Sequence, residues 1–154
     1  MSLLFLGVGN LHRGDDGVGP YLAHKMAESG VLDSCGVEVL PHSGEGASLI
    51  HLWEDQKKVV IVDCMKTGLP LGTVRRFDAV KEKLNSGVFR YSSHLFGLAE
   101  ATEIARQLGK LPPAMIIYGI EGISFSFEEP RSAEVDAILP EVEFAVIKDF
   151  QQEV

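Results

Sequence analysis

The chain alternates apolar segments of strand length with segments whose hydrophobic residues recur at helical spacing. The strand-like segments cover residues 3–6, 36–40, 59–63, 71–77 and 114–120. The helical segments begin at Pro20, Ala47, His94 and Val135, and the last contains Pro140, which is expected to kink or restart it. The order β-α-β-α-β-β-α-β-α predicts a three-layer α/β/α fold, with a sheet between two layers of helices.

Two of the strand-like segments indicate what kind of sheet this is. Residues 59–62 are four consecutive β-branched residues, which is typical of a parallel strand buried on both faces. The segment at 71–77 follows too closely for a crossover helix, so it is expected to be an antiparallel edge strand. We therefore expect a five-stranded, mostly parallel mixed sheet with one antiparallel strand.

The loop after the first strand is the first candidate for chemistry, because functional groups collect at the carboxyl ends of strands in α/β sheets. A Gly-x-Gly turn is followed by a polar stretch that carries Asp15 and Asp16. The turn matches a dinucleotide fingerprint poorly, since His12 stands where the third glycine would be. The two carboxylates can also be explained as favourable charges at the start of the next helix.

Two further polar residues are predicted at the same end of the sheet. Asp63 ends the central strand, and His94 follows Ser93, a candidate N-cap, in the first turn of the third helix. If the second strand lies outside the first, Asp16 and Asp63 are on neighbouring strands. Together with the His94 imidazole they would offer the mixed donors that zinc or nickel accepts. The alternatives are that Asp63 caps a turn and that His94 is an ordinary hydrogen-bonded histidine.

Length, charge and cysteine content narrow the function classes. The 154 residues fit one domain, 1–154, and the net charge of −8 argues against a nucleic-acid partner. Neither a membrane-length apolar run nor a basic leader is present, so a cytoplasmic protein is expected. Cys35 and Cys64 form no metal or disulfide pattern, and a buried thiol at Cys64 would be inert.

Three blocks of the chain resemble the signature blocks of the NiFe-hydrogenase maturation endopeptidases. The first block is specific and runs Gly-Val-Gly-Asn-Leu-x-x-Gly-Asp-Asp-Gly-Val-Gly over residues 7–19. The others are Val-Ile-Val-Asp at 60–63 and Ser-Ser-His-Leu at 92–95. Their order along the chain and the number of residues between them agree with the family pattern. The resemblance covers almost the whole chain. It implies a five-stranded mixed sheet between helices, with one antiparallel strand.

The resemblance also implies an activity. A protein of this family removes the C-terminal extension of a hydrogenase large-subunit precursor after nickel has been inserted. The metal-contacting positions of the family match Asp16, Asp63 and His94, which would also be the catalytic residues. The nickel would be supplied by the substrate, a surrogate divalent metal could replace it, and a monomer is expected.

One segment departs from the family pattern. Many relatives carry an Asp-Gly-Gly segment after the second strand, where this chain has His42-Ser43-Gly44-Glu45-Gly46. His42 is therefore a candidate for an additional metal or substrate contact. Two other functions stay open from the sequence. One is a nickel-binding or precursor-holding module without protease activity, and the other is a nucleotide-binding domain.

Overall fold

The computed structural model of the chain describes residues 2–85, 87–89 and 94–152. It contains a five-stranded sheet of order β2-β1-β3-β5-β4. The strands are β1 (Leu3–Val8), β2 (Val37–His42), β3 (Lys58–Met65), β4 (Val74–Asp78) and β5 (Ala114–Glu121). Neighbouring strands pair in parallel except β4 and β5, which are antiparallel. The predicted sheet, with one antiparallel edge strand, is confirmed.

Four α-helices cover the two faces of this sheet, as the three-layer prediction required. They are α1 (Val18–Ser29), α2 (Gly46–Trp53), α3 (Leu98–Leu108) and α4 (Ala133–Gln151). One apolar cluster joins the sheet to α2 and α3, and a second joins it to α1 and α4. All eight residues of β3 are buried, because helices cover both faces of this central strand. No helix of the described residues is long and apolar enough to cross a membrane.

The start of the third helix was predicted wrongly. α3 begins at Leu98 with Gly97 as its N-cap, so His94 lies in the loop before the helix and not in its first turn. Leu95, expected on the buried face, is fully exposed. The carboxylate of Glu100 accepts the N–H of Gly97 at 3.0 Å, which fixes the helix start at that point. Ser93, the predicted N-cap, lies outside the described residues.

Several elements extend further than the pattern indicated. β2 includes Pro41 and His42, and β3 continues to Met65, so that Asp63 lies within the strand and not at its tip. The last helix is one element that runs through Pro140 and does not restart there. Asp15 and Asp16 lie in a short 3-10 helix, Gly14–Gly17, where the sequence predicted a loop.

Candidate active site

The candidate site lies where the strand order changes direction. From β1 the chain moves outward to β2, then returns to the other side of β1 to form β3. This arrangement leaves a crevice at the carboxyl ends of β1 and β3, the usual ligand position in open α/β sheets. Asp16 follows β1, and Asp63 lies near the carboxyl end of β3. The prediction that these two strands are neighbours is confirmed.

Gly9 allows the chain to fold back so that Asp16 reaches this crevice. Its φ of 141° is one that residues with a side chain rarely adopt, and a Cβ here would lie 1.9 Å from the carbonyl oxygen of Asp16. The Gly9 N–H donates to the carbonyl of His42 at 2.9 Å, which ties the loop to β2. The next N–H, that of Asn10, donates to Asp16 Oδ2 at 3.0 Å and orients the carboxylate.

Asp63 is a buried acid whose charge interacts with that of Asp16. Its residue is 7% exposed, and its Oδ1 accepts the N–H of Cys64 at 2.7 Å. Burial, followed by the nearby charge of Asp16, raises the pKa of Asp63 well above its ordinary range. Burial also raises the pKa of Asp16, and the Asn10 N–H, Arg13 and His94 offset only part of this effect. The site therefore makes the charged form of both acids less favourable than it is for exposed carboxyl groups.

His94 lies in the loop before α3 and is half-buried. Its charge offsets part of the rise in the pKa of Asp16. The pKa of Glu45 is lowered by the N–H groups of Ala47 and Ser48 and, to a smaller extent, by His94. A Cβ placed on Gly44 would lie 3.9 Å from His94 Cδ2, so the imidazole is next to the loop that follows β2. Asp16 thus interacts electrostatically with both other predicted site residues, Asp63 and His94.

These interactions do not amount to a preformed metal site. Within residues 2–85, 87–89 and 94–152, no group of three or more His, Cys, Asp or Glu side chains is arranged to hold a metal ion. Two carboxylates and one imidazole remain a chemically suitable donor set for a borderline divalent cation. That Asp16, Asp63 and His94 share one ion stays a prediction.

His42 lies in the segment that follows Pro41 at the end of β2, and its contact with a metal or substrate stays a prediction. Its Nδ1 accepts the N–H of Gly44 at 2.9 Å, and its Nε2 lies 2.9 Å from the hydroxyl oxygen of Ser48. Burial lowers the pKa of His42; the charge of Glu45 opposes this shift, and the charge of His94 adds to it. The neutral ring is therefore favoured. Because both nitrogens are engaged, His42 would have to break a bond within the protein to bind a metal. It shapes the loop beside His94.

Asp15 is the residue whose importance the sequence did not reveal. Its side chain is completely buried and accepts four hydrogen bonds, from the N–H groups of Ile123, Ser124 and Ser132 and from the hydroxyl of Ser132, at 2.7–3.0 Å. Burial alone would raise the pKa of Asp15, but these bonds outweigh it and leave the pKa below its ordinary value. Asp15 therefore fastens the short helix carrying Asp16 to the loop after β5 and to the start of α4.

An open cleft of about 370 Å³ runs beside the site, between the loops that follow β1 and β2. It is lined by Gly9, Asn10, Leu11, His12, Pro20, His24, Pro41, His42 and Ser43. Cys64, the candidate thiol, is buried, and burial followed by nearby carboxylates raises its pKa far above the ordinary range. A thiol held protonated in this way is a poor nucleophile, as expected from the sequence.

Comparisons with known proteins place the chain in a family. A family model described as hydrogenase maturation protease matches residues 20–149. A putative hydrogenase maturation protease of Methanocaldococcus jannaschii is 27% identical over 94% of this chain and 92% of that protein. The hydrogenase expression/formation protein HupD of Thiocapsa roseopersicina is 27% identical over 79% of this chain, and the match spans 55% of HupD.

Solved structures share the fold of this chain. The hydrogenase maturating endopeptidase HybD from Escherichia coli superposes with a TM-score of 0.75 at 18% identity, over 98% of this chain and 93% of HybD. A hydrogenase 2 maturation peptidase from a Thaumarchaeota archaeon gives a TM-score of 0.71 at 25% identity, over 99% and 100% of the two chains. Because the family model matches most of its residues, the chain belongs to the hydrogenase maturation protease family.

Proposed function

We propose that this chain is an endopeptidase that removes the C-terminal extension of a hydrogenase large-subunit precursor once nickel has been inserted. Membership of the hydrogenase maturation protease family supports the protease activity and the precursor as substrate. The observation that carries the finer proposal is the coupling of three groups at the strand crossover, where Asp16 interacts with both Asp63 and His94.

In this proposal the nickel belongs to the precursor and completes its coordination on the protease. A divalent cation held by Asp16 and Asp63 would offset their mutual repulsion and favour the ionised form of both. It would supply the charge that polarises the carbonyl of the scissile peptide bond, so that water attacks more readily. A carboxylate at the site can take up the proton that the attacking water releases. His94 supplies the nitrogen donor of the set.

The direct test compares cleavage of nickel-loaded and metal-free precursor by protein that has been stripped with a chelator. Mass spectrometry of the precursor before and after incubation detects the loss of the extension. We expect shortening of the loaded form alone. Equal cleavage of both forms would refute the role of nickel. A loaded precursor that binds the chain without becoming shorter would instead indicate a holding module.

Two variants test the residue assignments in the same assay. Asp16→Asn and His94→Ala are each expected to slow processing at least about 100-fold, because each removes a donor at the reacting centre. The matched controls are Asp55→Asn and His51→Ala, which change an exposed acid and an exposed histidine outside the site. All four variants are expected to stay folded. Processing at the wild-type rate by either site variant would refute its assigned role.

A further inference from the structure

Exposed apolar side chains are concentrated around the candidate site. Nine large hydrophobic residues are exposed in the part of the chain that the structure describes, and five of them lie in loops at the carboxyl end of the sheet. These five are Leu11, Leu69, Leu95, Ile123 and Phe127; the others are Val80, Ile104, Leu108 and Phe144. Single exposed apolar residues are common, but a group of them beside a site indicates a contact surface.

Three of the five flank the short helix that carries Asp16, and we call Leu11, Ile123 and Phe127 the apolar rim. A Cβ on Gly17, the last residue of that helix, would lie 3.0 Å from Leu11 Cα. On the other flank the Ile123 N–H donates to Asp15 Oδ2 at 2.9 Å. The rim therefore borders the short helix through Gly17 and Asp15, the residues on either side of Asp16 in sequence.

The two loops that carry the rim are fastened to each other. The N–H of Glu128 donates to the carbonyl of His12 at 2.7 Å, and the Phe127 ring lies 6.1 Å from the His12 ring. Ile123 and Phe127 nevertheless remain 66% and 69% exposed. Because hydrogen bonds hold these loops, the apolar side chains are presented to solvent on a fixed backbone. A surface that is ordered before binding loses little conformational entropy when a partner covers it.

We propose that the apolar rim is the docking surface for the body of the precursor, meaning an apolar face of the large subunit next to its C-terminal extension. This inference rests on the proposed function. The rim is continuous with the cleft through Leu11, which belongs to both, so a protein whose extended segment occupies the cleft would contact the rim. Polar side chains of His12 and Glu128 border the rim, as is usual around the apolar centre of a protein interface.

The chain offers closely matched controls for a test. Phe127 is 69% exposed and Phe144, on α4, is 70% exposed; Ile123 is 66% exposed and Leu108, at the end of α3, is 61% exposed. We would measure kcat and KM for the nickel-loaded large-subunit precursor with Phe127→Ser and Ile123→Ser, and with Phe144→Ser and Leu108→Ser. Each rim variant is expected to raise KM about tenfold or more, as interface anchors do, with kcat little changed. The two controls are expected to stay within about twofold of the wild type, as energetically neutral surface positions do.

The outcomes separate this inference from the proposed function. If the wild-type chain does not shorten the precursor, the proposed function fails. If the wild type cleaves and the rim variants keep the KM of their matched controls, the docking surface is refuted while the function stands. Sedimentation of the wild type and of Phe127→Ser tests whether a second copy covers the rim. A wild-type dimer that Phe127→Ser dissociates, with KM unchanged, would also overturn the proposal.

Discussion

Replacing Asp15 by alanine tests how the short helix that carries Asp16 is held. The substitution removes the acceptor of four hydrogen bonds from a fully buried position. It leaves three backbone N–H groups, those of Ile123, Ser124 and Ser132, without this partner. The side chain is packed against the loop after β5, since a Cβ on Gly122 would lie 2.6 Å from Asp15 Cβ and 3.2 Å from its Oδ2.

The expected loss of stability follows from these contacts. Hydrogen bonds to a charged group contribute about 1.5–3 kcal/mol each, but such values do not add within one network. Burying the charged carboxylate costs free energy in the wild type, and the variant avoids this cost, which offsets part of the loss. We therefore expect Asp15→Ala to lower the free energy of unfolding by about 3–5 kcal/mol. In a chain of this length that corresponds to a decrease in Tm of roughly 10 °C.

Thermal unfolding followed by circular dichroism measures this change, with Asp55→Ala as an exposed control. The pKa of Asp15 lies below its ordinary value, so its stabilisation is present above about pH 3.9 and is lost as the pH falls further. The difference in Tm between the wild type and Asp15→Ala should therefore narrow below about pH 4. A Tm within 2 °C of the wild type at pH 7, a shift too small for a loss of 3–5 kcal/mol, would refute the reasoning.

Two further substitutions test the electrostatics of the site and the packing behind it. Asp63→Asn is expected to raise Tm at pH 7, because a buried acid with a raised pKa destabilises the fold as the pH rises through that pKa. The same variant is expected to slow precursor processing at least about 100-fold. An unchanged Tm would contradict the burial argument. Gly19→Ala is expected to lower the unfolding free energy by about 1–3 kcal/mol, because its Cβ would lie 2.4 Å from the Val8 oxygen and 2.7 Å from that of Val62. Gly87→Ala, where the added Cβ meets nothing within 4 Å, is the control in the same denaturation assay.

The sheet could be predicted from the sequence because its strands carry strong local patterns. The β-branched segment at 59–62 predicts a buried central strand, and the short link to 71–77 predicts the antiparallel edge. Both predictions depend only on residues within or next to the strand in question, so the local sequence is enough to make them. The placement of Asp63 near the carboxyl end of β3 and of Asp16 just after β1 followed from the same patterns.

The start of α3 and the role of Asp15 could not be predicted in this way, because distant contacts decide them. The segment before α3 is held by Gly46, whose N–H donates to the carbonyl of Phe96 at 2.8 Å, 50 residues away in sequence. Hydrophobic spacing alone extends the helix back to Leu95. Asp15 and Asp16 are adjacent acids of identical chemistry, and only distant segments, the loop after β5 and the start of α4, make Asp15 the structural anchor.

Under the proposed function, the electrostatics of the site explain why processing would wait for nickel. Asp16 and Asp63 both have raised pKa values, so in the free protein the site disfavours the two negative charges that metal coordination and water activation require. An uncharged peptide chain that enters the site adds no positive charge and does not relieve this penalty. A divalent cation offsets two negative charges at once, and it draws both acids into their ionised form. The loaded precursor therefore supplies the charge that lowers the pKa values of both acids, whereas with the empty precursor these pKa values stay raised.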